Sequence, residues 1–300
     1  MNLSDAFFLY RFETYLTAEK KMSAHTVKAY IGDLSACFEY ASQQFEITSV
    51  EELHHLQIKS WLSELMLNGM DPRSVNRKIS SLKAYYRYLL KHGLTTKDPM
   101  LKVTSPKVAK KLPVFIDETR MNLMMNELVD KKSDENFEDS DNIADDILLT
   151  LYHTGMRLSE LIHLEKQNIN LAQGTLKVLG KRNKERIIPI TDELAEALER
   201  NAGMHPASQY VFNTPSGKQL YPNFVYRSVH KILSDGTTLK KKSPHVLRHT
   251  FATHILNNGG DLNAIKELLG HANLSATQVY THNSVERLKK IHKMAHPKSK

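Results

Sequence analysis

The chain of 300 residues carries a single cysteine, Cys37, so an internal disulfide and any zinc or iron–sulfur site built from several thiolates are excluded. Small core filler is the role expected of it. No apolar run approaches the roughly 18 residues that a membrane span requires. There is no G-x-x-x-x-G-K-[ST] loop, so ATP is not an expected ligand. Internal repeats and low-complexity segments are also lacking. The opening residues, MNLSDAFFLYRFETYL, hold acids inside an apolar pattern and lack a basic start. They do not read as a secretory signal, and the protein is expected in the cytoplasm.

What is present describes an ordinary folded protein, with 41% hydrophobic and 25% charged residues. Three hundred residues exceed what most single cores need, so two domains are expected. The net charge of +8 and pI near 9.3 favour a polyanionic partner.

Residues 3–92 read as helical. Ser23 can cap a helix to about residue 40, in which Val27, Tyr30, Ile31, Leu34 and Phe38 recur at helical spacing. A further helix covers 57–68, and another opens on Asp71-Pro72 and closes at Gly93. Within it Arg73, Arg77, Lys78 and Lys83 sit beside Tyr85, Tyr86 and Tyr88. That set reads equally as a face gripping a phosphate backbone or as a solvated helix surface. Residues 97–113, with three prolines and five lysines, read as a basic linker. A helix from Asp117 to about 129 follows, and the acidic run 130–146 reads as a mobile surface loop.

A helix over 143–153 leads to Gly155 and Arg157 at a helix junction. Three short apolar segments, 169–171, 175–179 and 186–190, predict an antiparallel meander whose second turn carries Lys181. Helices are expected over 192–202, 222–233 and 284–294. The basic run Lys240, Lys241, Lys242 delivers the chain to 243–282, the stretch richest in chemistry. There Ser243-Pro244 reads as a helix start, His245 and Arg248 share one face, Asp261 can cap the next helix, and Gly270 suits a left-handed stop.

The H-x-x-R of His245–Arg248, the L-G-H ending at His271, and Tyr280 nine residues on resemble the C-terminal signature of the tyrosine recombinases (phage integrase family), most of all the bacterial Xer recombinases. Thr154-Gly155-Met156-Arg157-Leu158-Ser159-Glu160-Leu161 matches that family's first arginine motif. The pattern of Ser23, Thr26, Tyr30, Asp33 and Leu34 resembles its N-terminal domain.

The resemblance implies a mainly α fold with a small antiparallel sheet. A helical SAM-like core-binding domain would occupy 1–96, the basic linker 97–113, and an α+β catalytic domain 114–300 ending in a helix that docks on a neighbouring subunit. It implies DNA cleavage and rejoining through a 3′-phosphotyrosine and a four-way junction, with chromosome dimer resolution as the task. Tyr280 would be the nucleophile, Lys181 the general acid, His245 the acid/base partner, His271 a donor to the phosphate, and Arg157 and Arg248 the cationic forks. Arg73, Arg77, Lys78, Lys240, Lys241 and Lys242 are the candidate DNA contacts.

The partners implied are double-stranded DNA, identical or paralogous subunits in a tetramer, and a septal DNA translocase; no membrane, metal or cofactor is called for. Three alternatives stand beside this: an integrase or invertase of a mobile element, a type IB topoisomerase, and a DNA-binding protein without catalysis. A zinc site on His245 and His249 is disfavoured, because Val246 stands where an H-E-x-x-H enzyme needs its glutamate.

Overall fold

The computed structural model describes residues 7–109, 113–132, 139–180, 184–270 and 282–297, without the side chains of 129–142, 282–285 and 287. Its contacts divide the chain into two units, Met1–Lys111 and Leu112–Lys300.

In the first unit α1 (Leu9–Thr14) continues as a π turn, Tyr15–Glu19, and is followed by α2 (Ala24–Phe45), α3 (His55–Leu67) and α4 (Pro72–Lys91). The sequence sets the helix starts: Ser23 Oγ accepts from the Thr26 amide, and the Asp71 carboxylate accepts from the Arg73 amide ahead of Pro72. The tyrosines of α4 do not share its basic face. Tyr85, Tyr86 and Tyr88 are buried with Leu82 and Leu89 against Phe12, Leu34 and Phe38, and the Tyr85 hydroxyl donates to Phe7 O at 2.6 Å. The first half of the expected linker is likewise part of this core. A 3-10 turn, Pro99–Lys102, buries Met100, Val103 is buried beside it, and Asn76 donates to Pro106 O.

The second unit comprises α5 (Glu118–Lys132), α6 (Asp139–Thr154), α7 (Leu158–Ile162), a 3-10 turn (Lys166–Asn168), β1 (Ile169–Asn170), β2 (Thr175–Leu179), β3 (Glu185–Pro189), α8 (Asp192–Met204), α9 (Pro222–Gly236), α10 (Pro244–Asn257), α11 (Leu262–Leu269) and α12 (His282–Ala295). The strands pair antiparallel in the order β1-β2-β3, with Leu176 opposite Ile188 and Val178 opposite Arg186. The acidic run is not one loop: α5 extends into it, and α6 begins within it. Acidic residues suit the first turn of α6, and Asp146 is fully buried, accepting from Arg200 Nη2 at 2.8 Å and Asn201 Nδ2 at 2.6 Å.

α6 runs through the core, where Ile147, Leu151 and Tyr152 meet Leu247, Phe251 and Ile255 of α10. Gly155, at φ +58°, ends it so closely against Phe251 and Leu269 that a Cβ there would collide with both side chains. α12 lies on its own unit in the single chain, burying Leu288, His292 and Ala295, with His296 buried just after it.

Candidate active site

Three arginines converge on the C-terminal end of α11. Asp261 caps the start of that helix by accepting from the Ala264 amide, and Gly270, at φ +65°, ends it. The last carbonyls of a helix have no partner inside it and carry the negative end of its dipole, so cations are favoured there. Successive carbonyls take successive guanidinium groups: Leu268 O accepts from Arg186 Nε at 2.7 Å, Leu269 O from Arg248 Nη2 at 2.6 Å, and Gly270 O from Arg157 Nη2 at 3.4 Å.

Each arginine comes from a different element. Arg248 is on α10, is buried, and also donates from Nη1 to Gly155 O at 2.7 Å. Burial first, then the charges of Arg157 and Arg186, push its pKa down to about 10, so it remains a cation at neutral pH. Arg157 occupies the residue before α7 and keeps its side chain partly exposed. Arg186 lies on β3, buried. Glu160 joins two of them: it accepts from Arg157 Nη1 and the Arg157 amide, each at 2.7 Å, and from Arg186 Nη1 at 2.9 Å and Nη2 at 2.7 Å. Burial pushes the Glu160 carboxyl up, but the hydrogen bonds and charge of Arg186, with the bonds from Arg157, outweigh it and hold the group at about 2.

His245 sits one turn ahead of Arg248 on α10, exposed, with its ring 4.6 Å from that of His249. Partial burial, then His249, Lys241, Arg248 and Arg157, lower its pKa, which leaves a neutral imidazole able to accept a proton. Ser243 occupies the cap position of α10 but makes no capping bond; its extended backbone leaves Oγ buried and without a hydrogen-bond partner. Among the described residues no group of three or more His, Cys, Asp or Glu could hold a metal ion, and no helix is long and apolar enough to cross a membrane.

Arg157, His245 and Arg248 are thus brought together, while Lys181, His271 and Tyr280 lie outside the described residues. Of the candidate DNA contacts, Arg73, Lys240 and Lys241 are exposed and Lys242 is partly so. Arg77 and Lys78 both turn to Asp33, at 2.7 and 2.9 Å, and Lys78 is buried with its ammonium over the Trp61 ring. Sequence reasoning missed Arg186 and gave Glu160 no role. The signals were an arginine in line with Ile188 on the core-facing side of β3, and a glutamate three residues into a helix start.

Fold and family match together define a class of enzyme that cuts and rejoins DNA at specific sites. Residues 115–287 match the phage integrase family and residues 9–93 its N-terminal SAM-like domain, and the chain belongs to this family, the tyrosine recombinases. It is 35% identical to tyrosine recombinase XerC of Chlorobaculum parvum, over 95% of this chain and 93% of that one. It is 33% identical to tyrosine recombinase XerD of Staphylococcus aureus, over 95% and 97%. The XerH site-specific recombinase bound to palindromic difH substrate, in a post-cleavage complex, shares the fold at a TM-score of 0.68 and 21% identity, over 94% of this chain and 83% of that one.

Proposed function

We propose that the chain is one subunit of a tetramer that exchanges strands between two DNA duplexes at a specific sequence, through a 3′-phosphotyrosine on Tyr280 and a four-way junction. The observation that carries this reading is the convergence of Arg157 and Arg248 on the end of α11, directly ahead of His271 and Tyr280 in the chain. Negative charge grows on the non-bridging phosphate oxygens as phosphorus is attacked, and fixed guanidinium donors stabilise it. Each guanidinium has five N–H donors and uses only some of them, Arg157 on Glu160 and Gly270 O and Arg248 on Gly155 O and Leu269 O, so others remain for phosphate.

In this mechanism the Tyr280 oxygen attacks phosphorus and its proton passes to neutral His245. Lys181 protonates the departing 5′-oxygen, and His271 donates to the phosphate. The phosphotyrosine ester stores the bond until a 5′-hydroxyl reverses the step, so no cofactor is consumed. Likeness along nearly the whole chain to proteins named XerC and XerD supports an Xer-type role in chromosome dimer resolution in the cytoplasm. Identical or paralogous subunits and a septal DNA translocase would be its partners.

The test is a nicked suicide duplex carrying the DNA segment that the protein enriches most from genomic fragments. The wild-type chain should form a denaturation-resistant protein–DNA adduct and Tyr280→Phe none; an adduct with Tyr280→Phe would overturn the assignment.

A further inference from the structure

We infer that Arg186 is a positioning residue for strand cleavage: it neutralises and fixes Glu160, so that Glu160 can steer Arg157 without cancelling its charge toward the phosphate. The inference rests on the recombinase reading above.

The geometry assigns Arg186 three tasks at once. Its fork is bidentate to Glu160, at 2.9 and 2.7 Å, with both side chains only 3% exposed. Its Nε holds Leu268 O, the first of three consecutive carbonyls whose other members hold Arg248 and Arg157. Its backbone lies on β3, paired with Val178 of β2, so the two strands on either side of Lys181 in the sequence are tied to the same helix end. A Cβ on Gly270 would come within 3.1 Å of Arg186 Cδ, which shows how closely the helix end is built around this side chain.

Charge makes the arrangement functional as well as structural. With Arg186 in place, one cation offsets the buried carboxylate, and Arg157 and Arg248 present net positive charge to a phosphate. Without it Glu160 would pair with Arg157 alone, and the field at the phosphate would fall. Lysine cannot replace the planar fork.

The test is a double-mutant cycle on the suicide duplex, following single-turnover adduct formation and duplex affinity. Arg186→Met should slow adduct formation by about 100-fold while changing affinity by less than about 3-fold. In a Glu160→Gln background the same substitution should cost less than about 5-fold, because its route of action is already gone. Equal losses in both backgrounds would mark a merely structural arginine and overturn the inference, as would an Arg186→Met enzyme that cleaves at the wild-type rate. Should Arg186→Met fail to fold, Arg186→Lys enters the same cycle with the same expected pattern. A wild-type chain that forms no adduct would overturn the recombinase reading and this inference together; a wild-type adduct unaffected by Arg186→Met overturns this inference alone.

Discussion

Glu160 sets a buried carboxylate among Arg157, Arg186 and Arg248, and its worth to the fold has a definite pH signature. Its carboxyl is held at about 2 against an ordinary 4.5. A depressed carboxylate stabilises the fold above the unfolded value, and that contribution is lost as pH falls from 4.5 toward 2. Denaturant unfolding should therefore show a steep loss in this window that is reduced in Glu160→Gln, and an unchanged acid limb would deny Glu160 this role. At neutral pH Glu160→Ala leaves two arginines without their carboxylate, one of them buried, and should cost about 3–5 kcal/mol. The arginines show where sequence reading ends. Arg157 and Arg248 were legible because each stands in a local motif. Arg186 acquires meaning only through Glu160, twenty-six residues away in sequence, and Leu268, eighty-two away, partners that only the tertiary fold supplies.

At the scale of elements, α4 divides its side chains more sharply than its sequence suggested. Its helical extent and cap were readable, but its tyrosines were read with the basic residues although Leu82, Tyr85, Tyr86 and Leu89 have the spacing of a buried face. What could not be read was that Asp33 on α2 would draw in Arg77, Lys78 and Ser81. The acidic run misled for the same reason, since Asp146 is buried only because Arg200 and Asn201 meet it. Exposed cations of α4 and buried ones should then separate experimentally. Arg73→Ala and Arg87→Ala, at exposed positions, should each lower the slope of log affinity for DNA against log salt by about 1. Lys78→Ala should leave that slope alone and instead lower stability by about 1–3 kcal/mol, because it strips a donor from buried Asp33. Anisotropy titrations across salt, beside melting curves, check both; a reduced slope for Lys78→Ala would refute the division.

Across the whole molecule, the tail that the family resemblance assigns to a neighbouring subunit is held in the single chain by histidines. His292 of α12 and His296 just after it stack in parallel at 4.9 Å, and His296 lies 4.9 Å from the ring of His153 and 5.0 Å from that of Tyr152. His292 Nε2 donates to His153 O at 3.0 Å. Nearby, His254 donates from Nε2 to Ile116 O, so its Nδ1 must stay unprotonated to accept from the Tyr152 hydroxyl at 3.0 Å. Burial, the largest cause for each, lowers the pKa of His254, His292 and His296. The carboxylates facing this region are Glu193, 4.0 Å from His153 Nε2, and Glu118 and Asp117, which oppose the shift at His254. For a histidine whose docked pKa lies below its ordinary 6.5, the released state takes up more protons beneath 6.5. Docking is therefore fully supported above that value and weakens as pH falls through it. Simple removal of α12 would blur this test by exposing the fully buried Leu288. Hydrogen exchange of intact protein should show residues 286–295 opening more readily as pH falls from about 7.5 to about 5.5, after correction for the intrinsic exchange rate. A His292→Leu/His296→Leu chain should lose most of that dependence. If the double variant loosened in acid as much as the wild type, the histidines would not be what holds the tail.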